Sequence, residues 1–289
     1  MSNKLPIIAV VPAHNAAKTL PALLDELIKQ SYDRIFVIDD ASSDNTVKLV
    51  KAYGHKVELI KGSQNVGSGA NRNRIIGRTT PAIIHFIDAD MKLLSANTPD
   101  IIRKMKWPKN AAYIGGMVRN PDGTQNPFNF GPRPDMITSI FRGGLQYASW
   151  RLGHFYKPAG VLLRTMFAPL LKGFPNIYMP PRARYTHWVA ESNMLVKSDF
   201  FASHGGFDPR FRYSEIMDLS LRVHRSGYHG YFFPALDAVH ASLDNALKSR
   251  QKRYIALKQF LKKHGKLAYV FPPLSDYLAG RNTQKRYHR

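Results

Sequence analysis

AIIHFIDAD, residues 82–90, is an apolar run that stops abruptly at two carboxylates one residue apart, Asp88 and Asp90. The run predicts a buried strand, AIIHFID (82–88), that delivers acidic groups to its carboxyl end. Residues i and i+2 of an extended chain point the same way, so a local twist aims both carboxylates at one hard divalent cation and a diphosphate. An Asp-x-Asp tripeptide is also a common solvated turn, and the surrounding sequence must decide between the two.

Upstream, the same kind of run alternates with helical patterns. PIIAVV (6–11) reads as the first strand, and Leu20, Leu23, Leu24, Leu27 and Ile28 then recur at helical spacing. RIFVID (34–39) is the second strand, followed by Asp44 as N-cap of a helix through Val50; VELI (57–60) is the third, and a helix is expected between Gly67 and Gly77. Such alternation predicts an α/β fold with a doubly wound, mostly parallel sheet, whose ligands bind at the carboxyl ends of the strands. Pro12–Asn15, Asp39–Asp44 and Asp88–Asp90 all fall at such ends. Further along, the pattern predicts a helix at 98–107, strands at 112–118, 194–197 and 230–234, a helix over 214–227 and a long basic helix over 245–264.

Between these elements, residues 120–187 are rich in Pro, Gly, Arg and aromatics, and 120–134 is a turn-rich loop. The segment 136–174 interleaves apolar residues with Arg142, Arg151, Arg164 and Lys172 and contains no acid. Such a basic amphipathic segment suits an anionic membrane surface or a helical lid packed on the core.

The 289 residues carry a formal charge of +22, with 42 basic and 20 acidic side chains, which implies polyanionic company: nucleic acid, an anionic membrane or phosphorylated substrates. Twelve Lys or Arg and a single acid, Asp276, lie from Lys248 to Arg289, so half of the excess charge is in that last stretch. With no cysteine, any metal must be held by oxygen or imidazole ligands. No run approaches the roughly 20 apolar residues of a membrane span, and Pro12, His14 and Asn15 interrupt any signal-peptide pattern. The expected address is the cytoplasm, with peripheral attachment at the inner face of the plasma membrane.

In this order along the chain, VVPAHN (10–15), VIDDASSDNT (37–46), NVGSGANRN (65–73), Asp88-Ala89-Asp90 and GGFD (205–208) resemble the inverting family 2 glycosyltransferases. The resemblance implies a single GT-A-like domain with a nucleotide-sugar-binding half (1–119), an acceptor half (120–240) containing the 136–174 insertion, and a basic helix and tail (241–289). It implies a nucleoside-diphosphate-sugar donor, UDP-linked by default, and Mn2+ or Mg2+ as cofactor. The donor contacts it implies are Pro12, Ala13, Asn15, Asp39, Asp40, Asn65, Arg72 and Asp88. Asp40 would read the base, Arg72 would meet base or diphosphate, and Asp88, Asp90 and His240 would hold the metal; a lone histidine at a strand end is as often structural.

The family's base lies in a Glu-Asp-x-Asp-Leu motif, but this chain reads Glu215-Ile216-Met217-Asp218-Leu219, with isoleucine where the usual catalytic acid stands. Glu215 is the first choice as base, at the mouth of the helix and unengaged, while Asp218 pairs with Arg222 at i,i+4. Glu191, a substrate-side carboxylate, and Asp218 are the reserves. The expected activity is metal-dependent transfer to a lipid-linked or polymeric saccharide, as in cell-envelope polysaccharide synthesis, with an anionic membrane as further partner. A nucleotidyltransferase and a basic nucleic-acid-binding protein are the alternatives; neither a Gly-rich basic loop after the first strand nor a nucleic-acid module is recognised.

Overall fold

The computed structural model of the protein describes residues 5–79, 81–133, 135, 141–241 and 246–270. Eleven strands are formed among them: β1 (Ile7–Ala13), β2 (Arg34–Asp39), β3 (Glu58–Lys61), β4 (Ile83–Ile87), β5 (Met91–Leu93), β6 (Ala111–Arg119), β7 (Phe130–Gly131), β8 (Arg184–Thr186), β9 (Trp188–Val189), β10 (Asn193–Lys197) and β11 (His229–His240). The helices are α1 (Leu20–Lys29), α2 (Thr46–Ala52), α3 (Ser68–Arg72), α4 (Thr98–Lys104), α5 (Gly143–Phe155), α6 (Lys157–Met166), α7 (Ser198–Ser203), α8 (Glu215–Arg225) and α9 (Ala246–Val270).

The main sheet runs β3-β2-β1-β4-β10-β6-β11-β5, with β8 added to β11. β1 pairs in parallel with β2 and β4, and β6 with β11, while β10 inserts antiparallel between β4 and β6. The expected doubly wound, mostly parallel sheet is present, and alternate residues of β1 show why. Ile8 and Val10 enter one apolar cluster with Phe201 of α7 and Leu219 and Val223 of α8, whereas Ala9 and Val11 enter another with Leu20, Leu23, Leu24 and Leu27 of α1. A strand buried on both faces is apolar at nearly every position, as in PIIAVV and, His85 apart, AIIHFI. The boundary expected at 119/120 falls at the end of β6, and the whole sheet is continuous across it.

Three expected elements differ for physical reasons. The helix expected between Gly67 and Gly77 is only α3 followed by a 3-10 turn, Asn73–Ile75. Asn73 is tied at both ends of its amide to the backbone of Phe207, and Arg74 reaches back to Asp39 and Asp40, so tertiary bonds override the helical register. The helix expected over 98–107 stops at Lys104, ahead of the Trp107-Pro108 pair, because the residue before a proline disfavours the helical region. The last long strand is not confined to 230–234 but runs to His240 through a register shift between Phe232 and Asp237, where Pro234 lacks an amide proton. Of the segment 136–174, residues 136–140 lie outside the described residues, as do residues 242–245 and 271–289 of the basic tail; α9 is kinked at Gly265, where φ is +78°.

Polar side chains are buried at the sheet's centre in a satisfied relay. His85 on β4 donates through Nε2 to Asn193 Oδ1 (2.8 Å) and accepts at Nδ1 from Tyr32 (2.7 Å); Asn193 in turn donates to the carbonyls of Met117 (3.1 Å) and Leu236 (3.0 Å). Asn193 therefore stitches β10 to β4, β6 and β11. Burial pushes the His85 imidazole down to about 4, with its bond to Asn193 opposing. An unfolded chain takes up a proton below the ordinary histidine value of 6.5 that the folded chain refuses until about 4, so stability falls as pH drops through that window. Denaturant titrations should show a loss of roughly 3 kcal/mol there, and the slope should flatten in His85→Gln. Asn193→Ala should cost roughly 2–4 kcal/mol at neutral pH by the same measurement, because two carbonyls and a histidine lose their partner.

Candidate active site

The end of β4 and the end of β11 bring together Asp88, Asp90 and His240. A ligand atom of each lies within 4.8 Å of the others, and all three side chains are partly exposed. The register explains the meeting: β5 returns antiparallel beside β11 with Met91 opposite His240, and the amide of Ala241 donates to the carbonyl of Asp90 (2.8 Å). His240 Nε2 then stands 3.5 Å from Asp90 Oδ1. Two carboxylates and an imidazole at this spacing form an oxygen-rich set that fits Mn2+ or Mg2+, and the absence of thiolates disfavours a softer metal.

These residues line a cleft of about 580 Å³, whose wall also includes Pro12, Asn15, Ser68, Asn120 and Asn126. Of the three strand-end clusters, Pro12–Asn15 and Asp88–Asp90 line the cleft, whereas the Asp39–Asp44 loop lies outside its wall and is joined to it through Asn15. Asn15 donates its amide to Ser42 Oγ (2.9 Å) and accepts from the amide of Ser43 (2.8 Å). Asn15, Ala41 and Ser214 all hold positive φ, so unusual backbone geometry gathers in the loops bearing the acidic and amide groups.

Behind Asp88 stands Arg72, 2% exposed, which donates to Asp88 Oδ1 (2.5 Å) and to Ser68 Oγ. Two further carboxylates flank this cation. Glu191 Oε1 accepts from the amide of Ile216 (2.9 Å) at the start of α8; the residue is half-buried and is not part of the cleft wall. Burial, and then the negative charge of Glu215, push the Glu191 carboxyl up to about 7, against the pull of Arg72 and the Ile216 amide. Glu215 is not unengaged, as the helix-mouth position suggested. Its Oε1 accepts from the amide of Gly69 (2.9 Å), and a Cβ at Gly69 would lie 2.6 Å from its side chain. Glu215 thus braces the 65–73 loop from the far side of the sequence.

Several expected site residues are engaged elsewhere. Asp39 accepts from the amide of Ser42, and Asp40 from the amides of Val66 (3.0 Å) and Gly67 (2.9 Å) and from Arg74 (3.2 Å); both carboxylates are buried. Asp44 is not the N-cap of α2, which is Asn45; its carboxylate instead accepts from the amide of Thr46 (2.9 Å), a local turn two residues long. Ala13 is buried and Asn65 is exposed, its carbonyl accepting from Arg212, and neither lines the cleft. Asp218 pairs with Arg222 (2.9 Å) as its spacing predicts, but it also meets Lys263 (2.5 Å) and His264 (2.7 Å) of α9 and is fully buried, away from the cleft wall.

The sequence profile of glycosyl transferase family 2 matches residues 8–165, more than half of the chain. The chain belongs to that family. Its identity to the N-acetylglucosaminyl-diphospho-decaprenol L-rhamnosyltransferase of Mycobacterium tuberculosis is 24%, over 97% of this chain and 87% of that protein. Among solved structures, the mannosyltransferase PcManGT of Pyrobaculum calidifontis, in complex with GDP-Man and Mn2+, superposes with a TM-score of 0.59 at 16% identity, covering 97% of this chain and 70% of that one. GalNAc-T7 with UDP, GalNAc and Mn2+ gives 0.58 at 13% identity; this chain covers less than half, 44%, of its length. These likenesses establish the GT-A fold, and the family decides for a glycosyltransferase over the two alternatives that the sequence left open.

In this family 2 glycosyltransferase, sequence reasoning missed Asn120 and Asn126 in the cleft wall and the contacts of α9. Only the Asn-rich turn at 120–126 carried a signal for the first pair. The α9 contacts carried none, since Lys263 and His264 lie more than forty residues from Asp218. Burial alone would raise the Asp218 carboxyl, but His264, Arg222 and Lys263 outweigh it and hold it below the ordinary carboxylate value of 3.8. Its contribution to stability is therefore full above that value and is lost as pH falls through the lowered one. Asp218→Ala should cost roughly 3–5 kcal/mol in urea unfolding at neutral pH by leaving buried cations unpaired. Asp218→Ala protein that remains folded should still bind donor, because Asp218 does not line the cleft.

Proposed function

We propose that this glycosyltransferase moves a sugar, with inversion, from a nucleoside-diphosphate sugar to a lipid-linked or polymeric saccharide, using a divalent ion held by Asp88, Asp90 and His240. The observation that carries the reading is the convergence of those three side chains in a cleft at the carboxyl edge of a doubly wound sheet. When bound there, Mn2+ or Mg2+ would neutralise charge developing on the leaving diphosphate. Arg72 orients Asp88, and its charge offsets the surrounding carboxylates. Pro12 and Asn15 form the donor wall, with Asp39 and Asp40 shaping it by holding the loops that follow β2 and β3. On this reading residues 1–119 serve the donor and 120–240 the acceptor.

Ile216 removes the usual acid, and Glu191 is the carboxylate that meets the amide of that residue. As the acceptor oxygen forms its bond to the anomeric carbon and the bond to the diphosphate breaks, Glu191 takes the hydroxyl proton. The half-buried Glu191, with its carboxyl pushed up to about 7, suits that task better than the buried Glu215. The donor is taken as UDP-linked first; the mannosyltransferase neighbour with GDP-Man makes a nucleotide panel necessary. The lipid-linked acceptor rests on the name of the mycobacterial relative.

Thermal shifts with UDP-, GDP- and dTDP-sugars should require Mn2+ or Mg2+ and vanish in Asp90→Ala; shifts indifferent to metal and to Asp90 would sink the metal-bridged donor. Transfer rate should rise with pH through about 7, as Glu191 loses its proton. Glu191→Gln should lower turnover by roughly 10²–10⁴-fold while donor binding persists. Full turnover in Glu191→Gln, together with its loss in Glu215→Gln, would return the base to Glu215.

A further inference from the structure

The hairpin of α5 and α6 is built inside out. Where the two helices meet, the contact residues are small: Ser149 donates to the carbonyl of Gly160 (3.1 Å), and Tyr178 donates to the carbonyl of Ser149 (2.5 Å). A Cβ at either Gly153 or Gly160 would collide with the Tyr178 hydroxyl, at 2.1 Å in both cases. The large apolar side chains face outward instead. Among the described residues, sixteen large apolar side chains are exposed, and ten of them lie between Phe141 and Met179. Phe155, Tyr156, Leu162 and Met166 are the most exposed, with Phe155 at 74%. Scattered single exposures need no explanation, whereas this concentration marks an interaction surface.

Charge selects the occupant. From residue 136 to residue 190 there is no acid, against seven Lys or Arg. Arg151 and Lys157 are exposed between the apolar side chains, and Arg151 lies over the ring of Phe155 at 4.8 Å. A second copy of the chain would bring two such cationic faces together, on molecules each carrying +22. An anionic bilayer complements both features at once: acyl chains for the aromatic and aliphatic tips, phosphate headgroups for the cations. No helix among the described residues is long and apolar enough to cross a membrane, so the contact is interfacial.

We propose that the α5–α6 hairpin docks the enzyme onto a bilayer containing anionic phospholipid. The hairpin also packs on the loop that walls the cleft. His154 lies 3.7 Å from Asp122, in the turn whose Asn120 and Pro121 line the cleft, and Gln146 donates to the carbonyl of Pro127 (3.0 Å). Docking therefore holds the acceptor side of the cleft next to lipid headgroups. This deepens the lipid-linked acceptor reading, but vesicle binding requires neither donor nor turnover, so the two readings fail separately.

The test is co-sedimentation of the full chain with vesicles of phosphatidylcholine, with and without phosphatidylglycerol, at low and high salt. Binding should appear with phosphatidylglycerol and weaken with salt. The pairs Phe155→Ser with Leu162→Ser, and Arg151→Glu with Lys157→Glu, should each weaken it by at least roughly ten-fold. Unchanged thermal unfolding and nucleotide-induced shifts would show that these exposed changes leave the fold intact. No binding to phosphatidylglycerol vesicles, or binding indifferent to both pairs, would overturn the proposal. So would sedimentation equilibrium showing a dimer that the Phe155→Ser, Leu162→Ser pair dissociates, since the face would then belong to a second copy.

Discussion

The buried guanidinium of Arg72 is the constraint around which the cleft is organised. It lies about 5.8 Å from the ring centre of Phe86 and 5.9 Å from that of Phe207, and its Nε has no hydrogen-bond partner among the described residues. A cation so enclosed costs several kcal/mol unless anions and bonds surround it. Asp88 supplies the direct pair, and Glu191 is close enough to feel the charge. Without Arg72, the carboxylates at the ends of β4 and β9 and at the start of α8 would repel one another. One side chain on a five-residue helix therefore sets the spacing of three elements far apart in sequence.

Exposure then sorts the acidic residues by role. Asp88 and Asp90 keep solvent access at the strand end, where an oxygen can be offered to a ligand. Asp39, Asp40 and Glu215 are enclosed and accept backbone amides, which fixes the loops that wall the cleft. Asp208 and Asp218 are enclosed with cations of α9, and Lys263 bridges both, at 2.6 Å and 2.5 Å. Part of the basic excess expected to face outside partners is thus turned inward as a latch between α9 and α8. The acid-free hairpin has no such internal anions.

Much of the architecture was legible because it rests on local periodicity. Continuous apolar runs at 6–11, 34–39 and 82–88 became β1, β2 and β4, and the leucines from 20 to 27 became the buried stripe of α1. Asp88 and Asp90 were readable from their place at a strand end. His240 was not readable from the residues alone, since its meeting with them depends on β5 pairing back onto β11; only the resemblance pointed to it. The break after Arg72, the brace from Glu215 to Gly69 and the latch on Asp218 join residues dozens to more than a hundred positions apart. No window of sequence carries them.

Ile216 illustrates the difference between losing a residue and losing a charge. Its side chain is buried in the main core with Leu219 and Val223, so the position now serves packing. Its amide remains one of the first of α8, and the start of a helix favours a nearby anion through its oriented, unpaired N–H groups. Glu191, arriving from the turn after β9, fills that place with its oxygen 2.9 Å from the Ile216 nitrogen. Backbone electrostatics at the head of α8 call for an anion, and the fold can deliver that anion from any element that ends there. A motif read as consecutive letters registers an absence at 216, while the carboxyl that meets its amide comes from twenty-five residues upstream.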